Sequence, residues 1–181
     1  MESTEIISLL LGALATLAAV VGNQFRNMKI VLALQIVANA LVSVQYILEG
    51  TAATSVVVYI AIVQISISMY FNMKGKRFPL PLCILFIAAY STSVLSLYSG
   101  PQDILTLFAM FFCAVSVVQT KSWIYRITLV ANLTFWLAYD VIMAPSAIIF
   151  HAPMLIFTLV AMVRLDRGEL SSFFKKILKG K

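Results

Sequence analysis

Two asparagines, Asn39 and Asn132, each stand in the middle of an apolar run, inside the related strings VANALVSVQY and VANLTFWLAY, 93 positions apart. An amide carries donors and an acceptor, and leaving it unpaired in hydrocarbon is costly, so each must meet a partner or face a wet cavity. Their neighbours extend the pattern. Gln35, Asn39, Ser43 and Tyr46 share one face of a helix, as do Thr128, Asn132, Trp136 and Tyr139. Such stripes can bind a small polar solute by reversible hydrogen bonding, with aromatic faces to stack on it. The same groups can instead join helix to helix through interhelical hydrogen bonds.

Other polar residues in apolar surroundings widen the candidate set. His151 is the only histidine. It suits either a cavity-lining, proton-sensing role or a hydrogen-bonded packing role. Gln64 and Tyr59 lie on one predicted helix and either join a central site or tie helices together. Asp140 follows the repeated tyrosine and is either solvated at the membrane interface or set at an entrance where it can carry a proton. Pro153, inside an apolar run, favours a kink. Cys83 and Cys113 have neither disulfide nor metal spacing and read as buried structural thiols.

The elements that must position these groups follow from composition. The 181 residues are 62% hydrophobic and 11% charged, with mean hydropathy +1.00. A soluble domain cannot hide that much apolar surface. Apolar runs recur at roughly 5–22, 29–48, 54–73, 79–98, 102–119, 123–142 and 145–164, each near the length that crosses a bilayer. An all-α integral membrane protein with seven transmembrane helices is expected. The opening MESTE is acidic where a signal peptide would be basic, so no cleavable leader is expected.

Charge then sets the orientation. All 13 lysines and arginines fall in alternate breaks or in the tail, while Glu2, Glu5, Glu49, Asp103 and Asp140 fall on the opposite side. The positive-inside bias puts the N-terminus outside and the C-terminus in the cytoplasm. The same bias accounts for the basic pI near 9.5, so no nucleic-acid partner is expected. Charge is expected to be absent from the membrane interior, which argues against a strongly ionic substrate. The tail, SSFFKKILKGK, has the spacing of a short amphipathic helix in the headgroup layer and equally suits a basic topological anchor.

The offset of 93 aligns the second and third spans with the sixth and seventh. This predicts a 3+1+3 parallel internal repeat: residues 1–78, a linker helix over 79–98, a second triple over 99–164, and a basic tail over 165–181. Parallel repeats of this kind place a substrate site at their interface near the midplane.

The strings QFRNMKIVLALQIVANALVSVQYILEG and QTKSWIYRITLVANLTFWLAYDVI, with the closing VRLDR, resemble the YgjV-type bacterial inner-membrane proteins over nearly the whole chain. The resemblance implies a multi-pass protein of the bacterial cytoplasmic membrane, distantly similar to the SWEET and PQ-loop transporters. The first and fifth spans lack the prolines that those transporters use as hinges, and Pro101-Gln102 reads as a helix-start cap.

Together these features predict a facilitator that moves a small neutral or zwitterionic polar solute by alternating access of two triple-helix bundles. Asn39 and Asn132 would bind the solute, with Gln35, Ser43, Tyr46, Gln64, Trp136, Tyr139 and His151 lining the path. The alternative is a non-transporting accessory subunit whose asparagines are assembly contacts. No Ser-His-Asp, paired-carboxylate or Gly-rich phosphate pattern occurs, so neither enzyme activity nor a cofactor or metal is expected. The expected partners are the solute and the lipid bilayer, and a homo-oligomer is compatible with the sequence.

Overall fold

The computed structural model describes residues 3–48, 52–96, 100–143 and 148–179, and every element among them is a helix. Helix α1 (Ser3–Asn23) shows how the apolar runs are used. Gly12, Ala15, Ala19 and Gly22 recur at helical spacing, with Ala15 and Ala19 buried, while Leu9, Leu10, Leu14 and Leu17 are more than half exposed. The small residues let a neighbouring backbone approach, and the leucines are left for lipid. A Cβ on Gly22 would lie 3.0 Å from the Leu34 Cβ of α2 (Met28–Leu48). A Cβ on Gly12 would meet Gln45 of α2 at 2.9 Å and Phe150 of α7 (Ile148–Leu165) at 3.1 Å. Helix α1 therefore packs into the angle between α2 and α7.

Helix α3 (Ala52–Met73) packs on α2 and ends in a turn that needs glycine. Gly75 has φ +64°. Its N–H bonds the Asn72 carbonyl, and the Lys76 N–H bonds the Phe71 carbonyl at 2.9 Å, which closes the helix end in a Schellman turn. The chain then reverses into α4 (Leu80–Ser96), within the stretch expected as a linker. Helix α5 (Asp103–Val117) packs against α4 and α6 (Ser122–Met143), and α6 packs against α7. A final helix, α8 (Arg167–Lys179), leaves α7 at Asp166.

The core is formed jointly by helices α2 to α6. Val31 and Leu32 of α2, Ile65 of α3, Tyr90 of α4, Ala114 of α5, and Tyr125 and Leu133 of α6 form one cluster. Helices α1 and α7 flank it and carry much of the exposed apolar surface. Among the described residues, four segments are long and apolar enough to cross a membrane by length and composition: Ile6–Asn23, Met28–Gln45, Ser122–Met143 and Ile148–Leu165. Three further apolar helices, Val57–Met73, Leu80–Ser96 and Asp103–Val117, are shorter over the described residues. Helix α5, at 15 residues, extends about 22 Å, less than the roughly 30 Å of a hydrocarbon core.

Candidate functional site

The two asparagines that anchor the repeat have different environments. Asn132 is buried, and its Nδ2 donates to the Ala109 carbonyl of α5 at 2.6 Å. Asn39 is half-buried, and its Nδ2 donates at 2.8 Å to the Gln35 carbonyl of its own helix. Ser43 is likewise turned onto its own helix, donating to the Ala40 carbonyl at 2.7 Å. The Tyr46 side chain lies outside the described residues.

Gln64 is fully buried and serves as a helix junction. Its Nε2 donates to the Ala114 carbonyl at 2.9 Å, while its Oε1 accepts from the Tyr90 hydroxyl at 3.1 Å. Ser68, one turn on, donates to the Val117 carbonyl. These bonds bind α3 to α4 and α5. Tyr59 is 48% exposed and stands apart from them.

Gln35 is different in kind. It is 8% exposed, and it faces the Tyr125 hydroxyl of α6. Yet its Nε2 makes no hydrogen bond of normal geometry. A buried donor without a partner is uncommon and marks a place where a polar group is wanted. Tyr125 itself reaches Asn23, at the end of α1, with its hydroxyl donating to Oδ1 at 3.3 Å. The Asn23 Nδ2 donates to the Thr158 hydroxyl of α7 at 3.1 Å. Gln35 thus borders a polar seam shared by α1, α2, α6 and α7.

The seam ends in the most enclosed charge pair among the described residues. Arg126 is fully buried, and its Nη1 lies 2.8 and 2.6 Å from the two carboxylate oxygens of Asp166. Its Nε donates to the Asn23 carbonyl at 2.9 Å, and its Nη2 donates to the Phe25 carbonyl. Around this pair, Arg26 donates to the Leu165 carbonyl, Gln24 donates to the Phe157 carbonyl at 3.0 Å, and Arg164 donates to Gln24 Oε1 at 2.9 Å. The α1–α2 loop, the start of α6 and the end of α7 are locked together here. A guanidinium that spends its donors on a carboxylate and two carbonyls is the arrangement that allows such a charge to be buried.

A second cluster occupies the other end of α6. His151 Nδ1 and Asp140 Oδ2 are a hydrogen-bonded pair 2.6 Å apart, with Asp140 2% exposed and His151 25% exposed. The imidazole stacks on Trp136 at 5.5 Å and 12°, and Trp136 meets Tyr139 edge-on at 5.9 Å. The Asp103 and Asp140 carboxylates both lie near enough to act electrostatically on Tyr139. Three expected site residues, Trp136, Tyr139 and His151, are therefore together, around an aspartate that was not among them.

One of the two alternatives for Asp140 is closed. Asp140 is not solvated at an interface, because α6 turns it inward at the same helical spacing as Leu129, Leu133 and Trp136. Arg126 and Asp166 add a charge pair buried inside the protein. Sequence reasoning placed Arg126 among the loop cations, met Asp166 only within the closing VRLDR, and passed over Asn23, Tyr125 and Thr158. The missed signal was the position of Arg126, a full turn into α6 and on its buried stripe.

Apolar helices with lipid-facing leucines outside and polar junctions inside define an all-helical protein of a membrane. The chain belongs to the Imp-YgjV family, described as bacterial inner membrane protein, whose family model matches residues 6–169. The comparisons with curated proteins and with solved structures found no match.

Proposed function

We propose that the chain is a multi-pass carrier of a small neutral or zwitterionic polar solute, with seven spanning helices in two triple-helix bundles and a linker between them. In this reading the N-terminus is outside and the basic breaks lie in the cytoplasm. The observation that carries the proposal is Gln35, a buried amide with an unused donor on the seam between α1/α2 and α6/α7. A solute carbonyl or hydroxyl would compete with the neighbouring Tyr125 hydroxyl to accept from this donor. The Arg126–Asp166 lock closes the seam at the cytoplasmic end, and the His151–Asp140–Trp136 cluster forms its outer end. Rocking of one bundle against the other would open one end while the other stays shut. Asn39 remains a candidate for solute contact, whereas Asn132 acts as a strut to α5.

The accessory-subunit reading has its own support. Asn132, Gln64 and Ser68 all donate into backbone carbonyls of α5, as expected of groups that join helices. A thermal-shift screen of purified protein against sugars, nucleosides, vitamins and amino acids separates the two readings. A ligand at a hundred times its dissociation constant stabilises by about 2.7 kcal/mol. The carrier reading expects a compound that stabilises wild type and not Gln35→Leu, and that enters proteoliposomes. If no compound shifts wild type and Gln35→Leu is as stable as wild type or more so, the accessory reading replaces it.

A further inference from the structure

The groove between the α5–α6 turn and α8 shares no lining residue with the seam. It has a volume of about 510 Å³ and is lined by Lys121, Trp123, Gly168, Glu169, Ser172 and Phe173. Its walls are held in place. Asp166, where α8 begins, is fixed by Arg126 on one side, and its carbonyl accepts from the Leu170 N–H at 2.9 Å on the other. The Trp123 and Phe173 rings meet at 5.4 Å across the groove wall. Lys121 and Glu169 are both exposed, and among the described residues neither has an ion-pair partner. A Cβ on Gly168 would meet nothing within 4 Å, so the groove is open at that point.

One ammonium, one carboxylate, a hydroxyl and two aromatic rings, at the basic end of a bundle with lipid-facing flanks, are complementary to a zwitterionic headgroup. We infer that this groove binds the headgroup of a phosphatidylethanolamine molecule in the surrounding leaflet. Lys121 and the Ser172 hydroxyl take the phosphate, Glu169 takes the primary ammonium, and the Trp123 face stacks beside the ammonium as a cation–π partner. A purely anionic lipid would satisfy Lys121 and set its charge against Glu169. A choline headgroup would present methyl groups where Glu169 needs N–H donors.

The test uses the full chain in nanodiscs of equal parts phosphatidylethanolamine, phosphatidylglycerol and phosphatidylcholine, with retained lipid identified by native mass spectrometry. Phosphatidylethanolamine is expected to be enriched about five-fold over each of the others, the scale set by one exposed ion pair. Glu169→Gln should bring its enrichment down to that of phosphatidylcholine. Gly168→Leu fills the open space without a backbone clash and should abolish retention while thermal stability is unchanged. Preferential retention of phosphatidylglycerol would mean that the basic surface acts only by its charge, and the inference would fall. Enrichment that survives both substitutions would place the lipid elsewhere and overturn it equally.

Discussion

Replacing Asp166 with alanine removes the carboxylate that neutralises Arg126 and leaves the rest of the lock in place. The guanidinium would keep the Asn23 and Phe25 carbonyls as acceptors but would lose both oxygens held at 2.8 and 2.6 Å. Breaking a buried pair from one side costs about 3–5 kcal/mol, because an uncompensated charge remains. Since two of its acceptors persist, Asp166→Ala should fall at the low end, about 3 kcal/mol. Arg126→Ala strips the partner from the carboxylate and from two carbonyls at once, and should fall near 5 kcal/mol on the same scale. The double variant Arg126→Ala/Asp166→Ala leaves no buried charge, so its loss should be smaller than the sum by at least about 2 kcal/mol. Equilibrium unfolding in mixed micelles, on wild type and the three variants, completes the cycle. Losses below about 1 kcal/mol for each single variant, the range of exposed ion pairs, together with additive behaviour, would refute the reasoning.

The hydrogen-bond assignments give further expectations. Asn132→Ala should cost about 1 kcal/mol, the scale of an interhelical hydrogen bond, whereas Asn39→Ala should cost less because its amide serves only its own helix; thermal melts of the two variants compare them. Gln64→Leu strands the Ala114 carbonyl and the Tyr90 hydroxyl and should destabilise by about 1–3 kcal/mol, read from the same melts. His151→Phe retains a ring against Trp136 but orphans the buried Asp140 carboxylate, again a loss of about 1–3 kcal/mol. Adding Asp140→Leu to it should restore part of that stability in a denaturant titration.

Much of the helical frame was legible because lipid imposes one requirement on every span: an apolar run of sufficient length with polar breaks. The expected runs at 29–48 and 123–142 correspond closely to α2 and α6. The site was harder to read because a polar side chain in an apolar run shows that it needs a partner without naming one. Asn132 found its partner in a backbone carbonyl, which has no signature in sequence. Arg126 and Asp166 were hidden in another way. Each lies beside a cluster of loop or tail charges, so proximity in sequence masked their pairing across 40 residues. The repeat directed attention to the midplane, but the unused Gln35 donor lies one turn earlier, where the second copy has Thr128, bonded to its own helix.

The buried pair also orders biosynthesis. Arg126 is made after Asn23 and Phe25 and well before Asp166, so the end of α1 and the first loop already offer two carbonyls when α6 is made. Charge neutrality waits for the end of α7. A nascent chain halted before residue 166 therefore carries a guanidinium without its carboxylate partner at a helix junction. Closure of the bundle around Arg126 thus depends on a residue made 40 positions later.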